Sequence, residues 1–194
     1  MCLTPPINYT TSNLGASGIG PLSITSGDFN TDGKMDLAAT DCYHNRVAIL
    51  YGNGLGGFSS PSFVSFMSCP QAIVAGDYNN DTKLDFATFC NGYIVIFLGD
   101  GAGGFAQVAN TFGLCGPGNL SAGDFNNDGI IDLVGGWGCG NSLPVLLGIG
   151  TGSFNASWTS FSSQCNSVGN ADFNGDGNID LVVAGGGMAG CITI

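Results

Sequence analysis

Four stretches of the 194-residue chain carry oxygen-bearing side chains at positions 1, 3, 5 and 9 of a short run. They are Asp28, Asn30, Asp32 and Asp36; Asp77, Asn79, Asp81 and Asp85; Asp124, Asn126, Asp128 and Asp132; and Asp172, Asn174, Asp176 and Asp180. Position 7, filled by Lys34, Lys83, Ile130 and Asn178, offers its backbone carbonyl. Gly129 at position 6 permits the sharp turn that brings such oxygens to one point. Hard oxygen donors in this number on a glycine-turned loop suit Ca²⁺. A helical EF-hand begins the same way but needs a bidentate Glu at position 12. Here that position holds Ala39, Thr88, Gly135 and Val183, which excludes it.

The acid count separates a metal loop from an ordinary polar turn. All 14 acidic residues are Asp, and only Asp41 and Asp100 lie outside the four loops. Three carboxylates crowded into one short loop repel each other unless a cation neutralises them. Up to four Ca²⁺ ions would bring the formal charge of −11 to −3.

The first aspartates recur at spacings of 49, 47 and 48 residues, the mark of a repeat architecture. A strand-like run follows each loop (DLAAT, DFATF, DLVGG, DLVVA), so the loop sits in a β-hairpin. Continuous apolar runs at 46–51, 93–98 and 143–147 read as buried strands. Gly-rich turns at 52–58, 99–105 and 148–154 and a fourth strand complete each repeat. No helix is expected. The fold class is all-β: a β-propeller of four-stranded antiparallel blades, built from four repeats of about 48 residues. One domain covers 1–194, with an N-terminal strand and link at 1–21 and repeats at about 22–68, 69–114, 115–164 and 165–194. Ile7 to Ser12 would supply the last strand of the fourth blade, which otherwise ends on Cys191 to Ile194. That split blade closes a ring, or accepts the opening strand of a neighbouring chain, giving head-to-tail self-association.

The loops, the strand after each, and the L-G-x-G-x-G-x-F turns resemble the FG-GAP family, also called VCBS repeats, as in the propeller of integrin α subunits. The resemblance runs from about Leu22 to the end. It implies Ca²⁺ on one rim of a propeller, an extracellular or cell-surface setting, and roles in adhesion, in glycan or protein binding, or beside secreted enzymes. Thr82 stands where glycine is usual, which implies a strained or weaker second loop. Family rings more often have seven blades than four, so a fragment or an oligomer stands beside the closed ring.

Gly is high at 34 and charged residues are only 9%, while hydrophobic residues reach 44%, which fits many short strands rather than disorder. Lys34, Lys83 and Arg46 are the only basic residues, which excludes nucleic acid as a partner. No apolar run reaches 18 residues, so membrane insertion by a helix is not expected. The first residues lack the pattern of a signal peptide: either a signal was removed and a start codon added, or the chain is a piece of something longer.

Eight cysteines without a C-x-x-C pair point to disulfides in an oxidising compartment. A cysteine before the first strand of a blade should face one after its second strand, giving Cys69–Cys90, Cys115–Cys139, Cys165–Cys191 and Cys2–Cys42. The rival scheme, Cys42–Cys69, Cys90–Cys115, Cys139–Cys165 and Cys2–Cys191, would staple blade to blade. Asn8, Asn80, Asn119 and Asn155 are glycosylation sequons.

The expected function is a non-catalytic, calcium-stabilised extracellular module for adhesion or ligand binding, with a protein or glycan partner. The alternative is a structural subunit of an extracellular filament joined through the split blade. No catalytic residues are expected. There is no Glu, and the single His44 reads as a solvated loop residue. Glycosidase chemistry needs two free carboxyl groups, and only Asp41 and Asp100 remain outside the loops. Trp137 and Trp158 read as packing between blades rather than as sugar platforms. Phe29, Tyr78, Phe125 and Phe173, at loop position 2, read as blade core.

Overall fold

The computed structural model describes residues 21–113, 119–135, 142–160, 165–185 and 191–193. The sheets follow one another along the chain. The first holds β1 (Ile24–Gly27), β2 (Asp36–Asp41), β3 (Arg46–Leu50) and β4 (Ser62–Ser65), and the second holds β5 (Pro70–Gly76), β6 (Asp85–Cys90), β7 (Tyr93–Gly99) and β8 (Phe105–Gly113). The third holds β9 (Leu120–Gly123), β10 (Asp132–Gly135), β11 (Ser142–Gly148) and β12 (Phe154–Ser160). The fourth holds β13 (Cys165–Ala171), β14 (Asp180–Gly185) and β15 (Cys191–Thr193). Every strand pair is antiparallel and neighbours in sequence are neighbours in the sheet. No helix occurs among the described residues. The expected strand Ile7 to Ser12 lies outside them.

The first two strands of each sheet meet in one register. Gly27 pairs with Asp36, Gly76 with Asp85, Gly123 with Asp132 and Ala171 with Asp180. The acidic loop is therefore the hairpin connection itself, eight residues long in every copy. All four loops lie at the same end of their sheets.

Three apolar cores fill the spaces between consecutive sheets. Phe29, Val47 and Ile49 of the first sheet pack against Ile73, Phe86 and Phe97 of the second. Tyr78, Phe89 and Ile94 of the second meet Leu133, Leu146 and Phe154 of the third. Val134 and Leu143 of the third meet Val168 and Val183 of the fourth. The continuous apolar runs are explained by this stacking, because an inner sheet buries both faces. Full burial of a side chain such as Ile94 or Phe86 stabilises by about 2–3 kcal/mol.

Cross-sheet hydrogen bonds pin the loop ends. Thr31 Oγ1 donates to the Gly101 carbonyl at 2.9 Å, Tyr51 Oη to the Gly103 carbonyl at 3.2 Å, and Gly152 N to the Tyr78 carbonyl at 2.9 Å. Asn119 faces Val168 with both ends of its amide: Nδ2 donates to the carbonyl at 2.6 Å and Oδ1 accepts the N–H at 2.8 Å.

Of the two disulfide schemes, the first needs correction and the rival holds at its first bridge. Cys42 is bonded to Cys69, with Cα atoms 4.1 Å apart, joining the first sheet to the second. Cys69–Cys90 and Cys2–Cys42 are thereby excluded. Pro70 and Cys90 are the last register pair of β5 and β6, so Cys69 lies one residue beyond the ladder and meets the neighbouring sheet. Cys90 Sγ instead donates to the Ser68 carbonyl at 2.9 Å. Cys165–Cys191 fails too. Cys165 is opposite Gly185, and Gly185 is opposite Cys191, so the two cysteines stand two strands apart. That is about 10 Å, beyond the ~7 Å that a bridge allows. Cys2, Cys115 and Cys139 lie outside the described residues.

Phe173 also departs from expectation. Phe29 and Tyr78 are fully buried and Phe125 joins the third core, but Phe173 is 49% exposed. No described residue covers its side of the fourth sheet. Trp137 lies outside the described residues, and of Trp158 only the backbone position opposite Pro144 is described.

Candidate metal centres

Each acidic loop turns on two left-handed residues, at positions 4 and 6. In the first loop these are Thr31 at φ 56° and Gly33 at φ 80°; in the second, Asn80 at 58° and Thr82 at 71°. The third has Asn127 at 59° and Gly129 at 81°, and the fourth has Gly175 at 78° and Gly177 at 89°. Thr31 and Thr82 are the costly members, because a β-branched residue is disfavoured in the left-handed region, and Thr82 stands where the other three loops have glycine. At the equivalent Gly33 an added Cβ would meet no atom within 4 Å, so φ alone, not space, selects glycine at this position.

That turn aims the loop amides at the acidic side chains. Asp28 Oδ1 and Asn30 Oδ1 both accept the Asp32 N–H, at 3.0 and 3.1 Å, and Asp28 Oδ2 accepts the Gly33 N–H at 2.7 Å. Asp32 Oδ1 accepts the Lys34 N–H at 3.0 Å. The pattern repeats at Asp77, Asn79 and Asp81, at Asp124, Asn126 and Asp128, and at Asp172, Asn174 and Asp176. Positions 1 and 3 thus converge on a single N–H in every copy. Position 5 is tied to the N–H of position 7.

Position 9 behaves differently. Asp36, Asp85 and Asp132 are fully buried. Each gives Oδ2 to the N–H of position 2 and Oδ1 to a glycine N–H in the turn after the third strand. The distances are 3.0 Å to Phe29 and 2.8 Å to Gly52, 2.8 Å to both Tyr78 and Gly99, and 3.0 Å to Phe125 and 2.7 Å to Gly148. Glycine is required at Gly99 by close approach, since a Cβ there would collide with the Leu84 carbonyl oxygen. In the fourth copy Asp180 Oδ2 accepts the Phe173 N–H at 2.9 Å.

Electrostatics separate the same positions. Burial pushes the Asp85 carboxyl up to about 6, against the Gly99 and Tyr78 N–H groups that pull it down. Burial raises Asp132 as well. The exposed Asp32 is lowered, chiefly by Lys34 Nζ at 2.9 Å. Asp81 is lowered by the Lys83 N–H, and Asp172 by the Gly177 N–H. Lysine at position 7 gives the first two loops a monovalent partner, with Lys83 Nζ 3.5 Å from Asp81. Ile130 and Asn178 give the last two none at that position.

The loops fit a hard divalent cation by chemistry. Each presents carboxylate and amide oxygens; in the first three loops those at positions 1 and 3 accept one backbone N–H apiece and keep a second lone pair, whereas Asp172 Oδ1 accepts both the Gly175 and the Asp176 N–H. Among the described residues, no three His, Cys, Asp or Glu side chains are gathered at one metal position. The amides hold positions 1, 3 and 5, and position 9 is turned toward the loop's own position 2 and the turn after the third strand.

Sequence reasoning missed one cluster. Asp41 is buried and accepts from Arg46 Nε at 2.8 Å and from His44 Nδ1 at 2.9 Å. Burial raises its carboxyl, but Arg46 and His44 outweigh that and hold it low. Arg46 also covers the Phe63 ring at 3.6 Å. His44 is therefore anchored rather than merely solvated, and Asp41 is not a free carboxyl. The signal was available: D-C-x-H-x-R places three complementary groups around one tight turn. Asp100, the other carboxyl outside the loops, accepts the Ala102 and Gly104 N–H groups at 2.7 and 2.8 Å.

The sequence model of the FG-GAP-like repeat matches three overlapping times, over residues 28–88, 77–135 and 124–183. The chain belongs to the FG-GAP-like repeat family. Each match runs from one acidic loop to the strand after the next, so the loops and junctions described above are what carries it. No curated protein matches the FG-GAP chain. Among solved structures, BBS1N in complex with ARL6DN superposes at TM-score 0.60 and 15% identity, over 88% of this chain and 52% of the other. An Agrocybe aegerita lectin that recognises non-reducing terminal N-acetylglucosamine superposes at 0.54 and 18%, over 83% and 48%. The Photorhabdus luminescens Tc holotoxin pore superposes at 0.52 and 17%, over 86% and 8%. These identities show a shared fold. The FG-GAP chain spans about half the length of the first two or less.

Proposed function

We propose that this FG-GAP protein is a non-catalytic, calcium-stabilised extracellular module for adhesion or ligand binding. The single observation that carries the reading is the four-fold recurrence of one loop geometry at one end of the sheets, with 12 of the 14 acids inside it. Asp, Asn and Asp at positions 1, 3 and 5, the position-7 carbonyl and the outer lone pairs of the position-9 carboxylate would hold the ion. Ca²⁺ supplies charge neutralisation and ties the hairpin; it performs no reaction here. The affinity suited to calcium-rich surroundings is a Kd of about 10⁻⁴ to 10⁻³ M. The Cys42–Cys69 bridge supports an oxidising compartment. Asn80 and Asn155 are exposed and suit glycans, whereas the Asn119 amide is taken up by Val168.

The ligand surface is placed at the end of the sheets opposite the loops. There a cavity of about 280 Å³ is lined by Phe66, Met67, Tyr93 and Gln107. Met67 is fully exposed and Tyr93 half-exposed. Exposed aromatic and thioether groups beside a polar amide suit a sugar ring or a protein side chain. The solved relatives include one with a protein partner and one that recognises a glycan, which favours binding over catalysis. Asp41 and Asp100 are both engaged, which favours the same reading. In this reading the fourth sheet gains its last strand from Ile7 to Ser12 of the same chain or of a neighbouring copy. A glycan array probed with the calcium-loaded protein tests ligand class. Binding lost on Tyr93→Ala supports the placement, and binding unaffected by it overturns the placement.

A further inference from the structure

The three junctions between sheets share one plan. From the earlier sheet, at the first two junctions, the aromatic at loop position 2 packs edge-on against the phenylalanine that opens the last strand of the next sheet. Phe29 lies 6.0 Å from Phe105 and Tyr78 lies 5.7 Å from Phe154. From the later sheet, position 8 reaches back over the residue preceding the earlier loop. A Cβ on Gly27 would collide with Leu84, and Cβ atoms on Gly76 and Gly123 would lie 3.3 Å from Ile131 and from Ile179. The later sheet also buries an apolar residue of its first strand, with Ile73 and Val168 each 5% exposed.

At the two ends of the array the same positions stand bare. Phe173, the last position-2 aromatic, is 49% exposed where Phe29 and Tyr78 are 0%. Ala171, the residue a following position 8 would cover, is exposed. Met35, the first position 8, is 60% exposed, and Ile24, the equivalent of Ile73, is also 60% exposed. The fourth sheet therefore shows one half of the repeating junction and the first sheet shows the other half.

We propose that these two faces pair with each other between two copies of the chain, head to tail, closing a ring of eight sheets. Met35 and Ile24 of one copy pack on Ala171 and Phe173 of the other, as Leu84 and Ile73 pack on Gly27 and Phe29 within a chain. The occupant is a second copy because the exposed surface continues an interface the chain already makes three times. Two copies are the smallest number whose two head-to-tail contacts close on each other. Exposed apolar groups that complement a surface elsewhere on the same molecule form such heterologous contacts, and the rotation between sheets decides whether they close. The proposal stands apart from the calcium reading, since it rests on apolar packing alone.

The test is sedimentation of the intact chain and of Met35→Asp and Phe173→Asp, singly and mixed, all in millimolar calcium. The expected result is a species of twice the 19.6 kDa chain mass for the native protein. Each variant alone should be a monomer with an unchanged far-ultraviolet spectrum. Mixing the two should restore a dimer, because the mixture retains one intact head-to-tail contact; variants that merely misfold would not rescue each other. A native monomer at the highest soluble concentration, a dimer indifferent to both substitutions, or an open series of larger species would overturn the proposal.

Discussion

Asp85 Oδ1 accepts the N–H of Gly99 at 2.8 Å, and this contact joins an acidic loop to the turn that follows the third strand at the same end of the sheet. The other oxygen holds the Tyr78 N–H at 2.8 Å, so one buried carboxylate fixes the second loop, the second turn and, through Tyr78, the junction with Phe154. The same bond recurs at Asp36 with Gly52 and at Asp132 with Gly148. Position 9 is thus an architectural residue whatever occupies the loop.

Asp85→Ala and Asp81→Asn should separate architecture from metal. Removing Asp85 orphans two buried N–H groups and should cost about 3–5 kcal/mol, in chelator as well as in calcium. Asp81 is on the surface, so Asp81→Asn should shift the chelated protein by less than about 0.5 kcal/mol and weaken only the calcium-dependent gain. Denaturant midpoints in both buffers measure this.

The pH dependence follows from Asp85. Its carboxyl sits at about 6 in the folded chain against an ordinary value of about 4, so the folded state holds the proton more tightly than the unfolded state. In the calcium-free protein this contribution to stability is complete below about pH 4 and is lost as pH rises through about 6. Calcium needs the ionised form, so the melting-temperature gain on adding calcium should grow across that window. Asp85→Asn should flatten the growth. Melts from acid to neutral pH, with and without calcium, check both.

Thr82 holds φ 71° where the other three loops have glycine. Thr82→Gly should stabilise the protein by about 1 kcal/mol, because relief of a left-handed β-branched residue exceeds the added freedom of glycine in the unfolded chain. Urea midpoints on protein made without glycosylation check it, since the change also removes the Asn80 sequon.

A non-reducing peptide map should contain Cys42 linked to Cys69, and no link between Cys69 and Cys90. Replacing both with serine should cost about 3–4 kcal/mol, the chain-entropy value for a bridge spanning 27 residues.

The loops, the strand order and the apolar runs were legible because they are local. Asp28 to Asp36 lie within one turn of chain, and an alternation or run such as 93–98 reports its own burial. What escaped depended on the angle between sheets. In sequence Cys42–Cys69 stands open as one of two schemes, and the choice turns on the β5–β6 ladder stopping at Pro70, so that Cys69 meets the previous sheet, which no spacing reveals. Phe173 reads like Phe29 in sequence and differs in having no sheet beyond it among the described residues. The position-9 clamp was half legible. A glycine follows each of the apolar runs, at Gly52, Gly99 and Gly148, but its N–H partner lies 14 to 16 residues back across the sheet.

The account depends most on the loops taking up calcium. Equilibrium dialysis of the native chain against millimolar calcium, with bound metal counted per chain, tests that directly. The prediction is up to four ions per chain, with one fewer after Asp128→Asn and a lower melting temperature once a chelator strips them. A count of zero, with melts that coincide in calcium and chelator, would contradict it.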